Sequence, residues 1–273
     1  MNRAESSQPV ERPTGRREFM TLVAVTGLGA MASSTLAGSG LTPTPTPTPA
    51  PGMAGVPTDG ATQFSAIPGR NINEKVLNFA LTLEILEADL YRQALNLASG
   101  KALTAPLNSN PGVYSRTVGA GGMQAPLTDV GYLYLKQFAY VEAAHRNFLT
   151  SAIQSGGGVP VQRNPRGYRF PAGLQANMAS ILGNLLPLEE TGVRAYLGAL
   201  NYLTDLNLAV VAGGIFSTEA RHSAAVAYTL GIDAGPRRMP GDIAIVANQP
   251  SDNTFEYYLK PQAVLSAASA YFA

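Results

Sequence analysis

Cysteine and tryptophan are absent from this 273-residue chain, and histidine occurs only twice. Without cysteine there is no disulfide framework, no thiolate metal site and no cysteine nucleophile. Charge is scarce as well: Lys, Arg, Asp and Glu make up 14% of the residues and nearly cancel, to a formal net charge of +1. Such a chain lacks the basic footprint of a nucleic-acid partner, and no acidic run marks a solvated tail. Alternation of apolar and polar residues at period two is nowhere sustained, which argues against a sheet-dominated fold. Ser217 and Ser223 lie near a histidine, yet no Gly-x-Ser-x-Gly elbow points to a serine hydrolase.

The amino-terminal residues also lack what builds a core. No charge occurs between Glu18 and Asp59. Arg16 and Arg17 precede Phe19 and an apolar stretch running to Ala32, too short for a membrane span of ~20 residues. Small residues follow at 34–38, where a signal peptidase could cut. Paired arginines followed by x-Phe-Met resemble a twin-arginine export signal. Residues 1–38 are therefore expected to export the chain to the periplasm or cell envelope, with membrane contact limited to that transit. Cleavage of the signal and its retention as an anchor both stay open. Alternating Thr and Pro then force an extended, semi-rigid spacer. Residues 39–70 are expected to be a disordered linker, with the folded unit starting near Asn71.

Four helical stretches follow. Residues 73–99 present a broad apolar face that includes Val76, Leu77, Ala80, Leu81, Ile85 and Leu90, with Asn73 as the expected N-cap and Gly100 as the stop. The glycine- and proline-rich residues 101–127 read as an insertion. A second helix is expected from Thr128 or Asp129 to the Ser-Gly-Gly-Gly at 155–158. A third, about 172–203, contains Pro187, which is expected to kink or split it. The fourth runs from about 206 to 230 and ends at Gly231. Residues 232–273 hold turn signals and one short helical piece, 261–272, expected to pack on the bundle as an extension. The fold class is all-α, with residues 71–231 as its helical body.

Both histidines occupy the same setting. Glu142 precedes His145 by three residues, and Glu219 precedes His222 by three. On a helix that spacing separates side chains by ~60° around the axis and one turn along it, so each pair projects from a common face. The other two helices echo each other: residues 81–95 overlay residues 186–200, with Glu84 on Glu189 and Tyr91 on Tyr196. The chain thus reads Glu, Glu-x-x-His, Glu, Glu-x-x-His, a helix-pair unit used twice. Glu87 competes with Glu84 on nearly the same face, but the overlay sets Gly192 against Glu87, which favours Glu84. Glu189 is likewise chosen over Glu190, which is read as solvated. Tyr91 and Tyr196 lie two turns beyond their glutamates and lean back toward them. They are candidate hydrogen-bond donors or electron relays behind the site, with simple core packing as the alternative.

Carboxylates can bridge two cations, and a neutral imidazole completes each ion's shell. Four carboxylates also balance two divalent charges. Mixed oxygen and nitrogen ligation without thiolate favours iron or manganese over structural zinc. One Glu from each of two helices and Glu-x-x-His from each of two others is the recurring ligand set of di-metal bundles. At these residues the chain resembles the ferritin-like superfamily, and within it the exported ferritin-like domain proteins related to desiccation-associated proteins. The stretches "LNFALTLEILEADLY", "EAAHRNFL", "LEETGVRAYLGAL" and "STEARHSAAV" carry the likeness across residues 77–226. The resemblance implies a four-helix bundle with a long crossover, holding two iron or manganese ions on Glu84, Glu142, His145, Glu189, Glu219 and His222.

Three function classes follow from the ligand pattern together with what the resemblance implies. The first is a di-metal oxidoreductase of the cell envelope that reacts with O2 or peroxide under oxidative or drying stress. The second is metal sequestration, and the third a stress-related bundle without catalysis. The sequence does not specify the metal, the redox partner or the oligomeric state.

Overall fold

The computed structural model describes residues 57–116, 129–170, 178–246, 249 and 254–272. All lie in a compact unit spanning Met53–Ala273. The expected export signal and the Thr/Pro part of the linker fall outside the described residues, as does Thr128. Four long helices dominate what is described: α1 (Ile72–Ala98), α2 (Asp129–Ser155), α3 (Met178–Leu200) and α4 (Leu206–Thr229). A short helix, α5 (Pro261–Ala268), and a two-residue ribbon of β1 (Ile243–Ala244) and β2 (Tyr257–Tyr258) follow them. The described residues form an all-α bundle of four long helices. Among the described residues no helix is long and apolar enough to cross a membrane.

Helix ends obey local chemistry, with one change from expectation. Asn71, not Asn73, caps α1: its side-chain oxygen accepts from the Glu74 backbone N–H at 3.0 Å, satisfying a donor the first turn leaves free. Asn73 instead ties the start of α1 to Thr204, donating to its Oγ1 at 2.9 Å. Asp205 caps α4 by accepting from Asn207 N at 2.8 Å. At the far end of α4 the Ile232 N–H reaches back to the Ala227 carbonyl at 2.9 Å, the closing bond that stops a helix at glycine. Pro187 sits inside a helix that runs on unbroken from Met178 to Leu200, so it does not split α3.

Hydrogen bonds between helix ends give the topology. Arg70, just before α1, donates to Gly156 O beyond the end of α2, and Ser99, at the end of α1, meets the Tyr132 hydroxyl near the start of α2. These two helices are antiparallel. After α2 the chain climbs along α1: Val161 N–H binds Asn78 Oδ1 at 2.8 Å, Arg163 meets Asp89 at 3.2 Å, and Gln93 donates to Tyr168 O at 2.9 Å. From Asn78 to Gln93 that is roughly 22 Å of helix. The long connection returns the chain to the end where α1 finishes, so α3 also descends against α1 and reaches Asn73 through Thr204. Residues 201–205 then turn the chain into α4, which rises antiparallel to α3 and packs against α3 and α2. The order is up, down, down, up, with one long crossover.

The linker expectation needs correction at its carboxyl end. Residues 57–70 pack on the bundle: a helical turn at Gly60–Gln63 leads into Phe64, which is fully buried. Its ring meets Phe79 and Tyr202 edge-on, with centroids 5.6 and 5.2 Å apart. Glycine- and proline-rich flanks hide such a single anchor from a periodicity reading. At the other end of the chain, Leu259 lies so close to α3 that a Cβ on Gly198 would stand 2.0 Å from its carbonyl oxygen, and Val264 of α5 is completely buried.

Phe64→Ala should destabilise the protein by about 3–5 kcal/mol, the usual cost of emptying a buried aromatic site. Urea denaturation of the variant against the wild type measures it. A change under about 0.5 kcal/mol, the range of surface substitutions, would return residues 57–70 to the linker.

Candidate metal centre

The repeated motif places its acids and imidazoles in the middle of the bundle. Glu84 comes from α1, Glu142 and His145 from α2, Glu189 from α3, and Glu219 and His222 from α4. All four carboxylates have no exposed surface, and His222 is 3% exposed. The six residues fall into two overlapping groups whose polar atoms lie within 4.8 Å of one another: Glu84, Glu142, His145 and Glu219, then Glu142, Glu189, Glu219 and His222. Glu142 and Glu219 belong to both. Glu142 turns one oxygen to each histidine, Oε2 to His145 Nδ1 at 3.3 Å and Oε1 to His222 Nδ1 at 2.7 Å. Around His145 Nδ1 stand two more oxygens, Glu219 Oε1 at 3.3 Å and Glu84 Oε2 at 3.4 Å. Glu189 Oε2 lies 3.6 Å from His222 Nδ1.

The tyrosines serve the outer carboxylates, but across the bundle. Tyr196 of α3 donates its hydroxyl to Glu84 Oε1 of α1 at 2.5 Å, and Tyr91 of α1 donates to Glu189 Oε1 of α3. Each phenol therefore serves the glutamate of the other repeat, not the one two turns earlier on its own helix. Antiparallel α1 and α3 make this exchange possible, since residue 91 then stands level with 189 and 196 with 84. The donors occupy one oxygen of each outer glutamate and leave the second facing the histidine.

The residual polar atoms test whether a cation fits. Glu84 Oε2, Glu142 Oε1, Glu189 Oε2, both oxygens of Glu219 and His222 Nδ1 are buried without a hydrogen-bond partner. Even the 2.7 Å approach of Glu142 to His222 lacks hydrogen-bond geometry. Buried polar atoms are normally satisfied, and leaving one bare costs about 1–3 kcal/mol. Six concentrated at one point, all of metal-ligand type, fit cations placed between them.

Burial and mutual charge set the protonation of the metal-free site. Burial lifts Glu84 to about 7 against the pull of His145. Burial and the neighbouring carboxylates likewise push Glu219 well above the ordinary range. Burial also works against Glu142, but its two histidine partners bring it down to about 2. The histidines go up, His145 to about 12 and His222 to about 11, because surrounding carboxylates outweigh the cost of burying their charge. Without metal, two imidazolium ions and the protons of the raised acids supply the positive charge.

Two further carboxylates stand beside the centre. Glu87 is 2% exposed and held well above its usual titration range by burial, then by Glu219 and Glu84. Gly192 makes its room: a Cβ there would lie 3.1 Å from Glu87 Oε1 and 3.2 Å from Glu219 Oε2. The overlay of Gly192 on Glu87 was the signal for this close fit, although it served only to choose Glu84. Glu190, expected in solvent, is buried instead. It accepts from Arg194 at 2.7 Å and from the Ser223 hydroxyl, while Arg194 grips Asp242 of the C-terminal segment at 2.6 and 2.9 Å. The i,i+4 spacing of Glu190 and Arg194 was legible; the distant Asp242 was not. Phe138, one turn before Glu142, lays its ring on His222 with centroids 3.9 Å apart.

A sequence model of the family described as "Ferritin-like domain" matches residues 73–231. That interval contains every residue of the cluster and ends two residues after α4. No curated protein matches the chain.

Protonation dictates a pH dependence for the metal-free protein. Glu84 titrates near 7 in the folded chain and near 4.5 unfolded, so stability falls as pH rises through that interval. The histidines contribute stability that is full below pH 6.5 and wanes as pH climbs toward 11 and 12. Glu142 acts oppositely, with its contribution present above pH 4.5 and lost toward 2. Melting of metal-free protein should therefore drop from pH 5.5 to pH 9. Stabilisation by added iron(II) or manganese(II) should grow over the same range, because bound metal displaces those protons. An equal metal-induced shift at both pH values would show that no protons are exchanged.

Proposed function

The chain belongs to the ferritin-like domain family, and from that premise we propose that it is a di-metal carboxylate protein that transfers electrons to a small oxidant, O2 or peroxide, in stress protection outside the cytoplasm. The observation that carries the reading is the sharing of Glu142 and Glu219 by two ligand groups. Glu84 and His145 would complete one iron or manganese ion, Glu189 and His222 the other, with the shared carboxylates between them. Two such ions supply two electrons together: O2 with two electrons and two protons gives hydrogen peroxide, and peroxide with two more of each gives two waters.

The protein's own part is positioning, charge compensation and exclusion of water. Tyr91 and Tyr196 hold the outer carboxylates by one oxygen each, so the other keeps its aim. Phe138 covers His222, while the His145 side chain is 15% exposed. A small oxidant therefore has its approach on the His145 side. Glu87, which burial and the carboxylates of Glu219 and Glu84 hold toward its protonated form in the metal-free site, is the candidate proton donor to that reaction.

One observation favours a second reading, a bundle without catalysis. Two imidazolium ions can offset buried carboxylate charge, so the fold has an internal means of standing without metal. Metal content separates the two. Under the first reading the native protein holds two iron or manganese ions per chain, and reduced protein is oxidised by O2 or peroxide in a single turnover. Metal that binds only the folded state adds about 2.7 kcal/mol at 100 times its dissociation constant. Replacing both His145 and His222 with Ala should erase most of that gain, and Glu84→Ala should lose more metal than Glu87→Ala. Elemental analysis with paired thermal melts reads all of these. A wild-type protein purified without metal, and indifferent to both ions, belongs to the second reading.

Export is proposed on Arg16 and Arg17 and the short apolar stretch after them. A route that carries folded chains suits a site whose metal is loaded before exposure to outside ions. Lysine at both positions should hold the protein in the cytoplasm, as cell fractionation would show. Unchanged secretion of that variant would remove the twin-arginine assignment.

A further inference from the structure

An apolar chamber adjoins one half of the cluster. Its inner wall is Phe79, Ala80 and Leu83 of α1, Leu149 of α2, Tyr196 of α3 and Ile215 of α4. These residues bracket the Glu84, His145 and Glu219 group: Leu83 precedes Glu84, Leu149 lies one turn after His145, and Ile215 one turn before Glu219. The Tyr196 hydroxyl is engaged with Glu84 at 2.5 Å, so its ring alone serves as wall. Toward the surface the lining passes to Leu208, Val211 and Ala212, which are only half-buried. Leu206 and Val210 beside them are 83% and 76% exposed. The chamber thus meets solvent through an apolar mouth at the start of α4.

Its size and lining select an occupant. The chamber offers about 20 Å3 to the centre of a water-sized sphere, against roughly 10–15 Å3 needed for one water molecule. An extended chain does not fit, and one small molecule does. A buried water needs two to four polar partners, and purely apolar cavities stay dry and take up xenon or benzene instead. Hydrogen peroxide has two O–H donors and would lose its hydrogen bonds on entering without replacement. An apolar diatomic molecule loses none.

We propose that this chamber is a binding site for one apolar molecule of dioxygen's size, placed beside the Glu84–His145 half of the centre. The inference rests on the oxidant reading above and selects dioxygen over peroxide within it. Dioxygen reaches the cluster past the Tyr196 ring, and peroxide, if it reacts, comes by the solvent side of His145.

Xenon, which needs no metal and no reaction, probes the chamber by itself. Metal-free full-length protein should bind one xenon, read by the 129Xe chemical shift or in xenon-pressurised crystals. Ala212→Phe plugs the mouth from a half-buried position, and Ala199→Val, at a buried residue of α3 that also lines the chamber, fills the interior with less crowding. Neither residue belongs to the cluster. Both variants should lose xenon and keep wild-type metal content. When loaded with iron(II) they should react with O2 at least ~tenfold more slowly, and with hydrogen peroxide at the wild-type rate. A wild type that binds no xenon overturns the site. Plugged variants that keep the O2 rate, or slow both oxidants alike, overturn its role in delivery. A metal-loaded wild type that binds xenon but reacts with neither oxidant overturns the oxidant reading and delivery with it, while the apolar site stands on the xenon result.

Discussion

Four carboxylates without exposed surface share the centre of the bundle, and that constraint organises the rest. An ionised carboxylate in such surroundings is costly unless it is paired, hydrogen-bonded or bound to a cation. Here each outer glutamate gives one oxygen to a tyrosine, and the shared glutamates face histidines. Those contacts fix helix direction. Tyr91 can meet Glu189, and Tyr196 can meet Glu84, only when α1 and α3 run oppositely. That direction in turn demands the long crossover along α1, pinned by Asn78, Asp89 and Gln93. The site and the topology are two statements of one charge-compensation problem.

A second buried polar system braces the same helices from behind. Arg194 has no exposed surface, and its guanidinium is shared between Glu190 of its own helix and Asp242 of the C-terminal segment. Glu190 follows Glu189 in sequence and also accepts from Ser223, which follows His222. One network therefore holds the backs of two helix turns whose fronts carry the centre. Breaking a buried ion pair strands the remaining charge, so the C-terminal segment and the bundle interior depend on each other. The extension is part of how α3 and α4 are held.

Much of this was legible in sequence because helices express burial and spacing locally. Glu-x-x-His states its geometry over a single turn, and the overlay of residues 81–95 on 186–200 pairs Glu84 with Glu189 and Tyr91 with Tyr196 without any structure. Helix existence was read correctly for the same reason. Three features needed the third dimension. Phe64 is an isolated anchor among turn residues, with no period to betray it. Asn71 caps α1 while Asn73, equally suited by type, faces Thr204; the choice between them is set by tertiary contact. Glu190 looked solvated because its partners, Ser223 and Asp242-bound Arg194, act together only after the chain folds. The tyrosine pairing lies between these cases: its residues were visible, but the exchange between repeats depends on helix direction.

The repeated pattern makes the ligands symmetric, but the surroundings are not. On the Glu189–His222 side, Phe138 lies on the imidazole and Tyr91 meets Phe138 edge-on at 6.1 Å. The network of Glu190 and Arg194 closes that side further. On the Glu84–His145 side the imidazole keeps some contact with solvent, and the neighbouring chamber is apolar and unfilled by side chains. A cation on the first side would be held in a stiffer, drier shell, where charge interactions are stronger. One on the second side would be easier to reach and to relax around. A repeated helix pair thus supplies two equivalent sets of donors, and unequal packing behind them leaves one side closed and the other bordered by solvent and an apolar cavity.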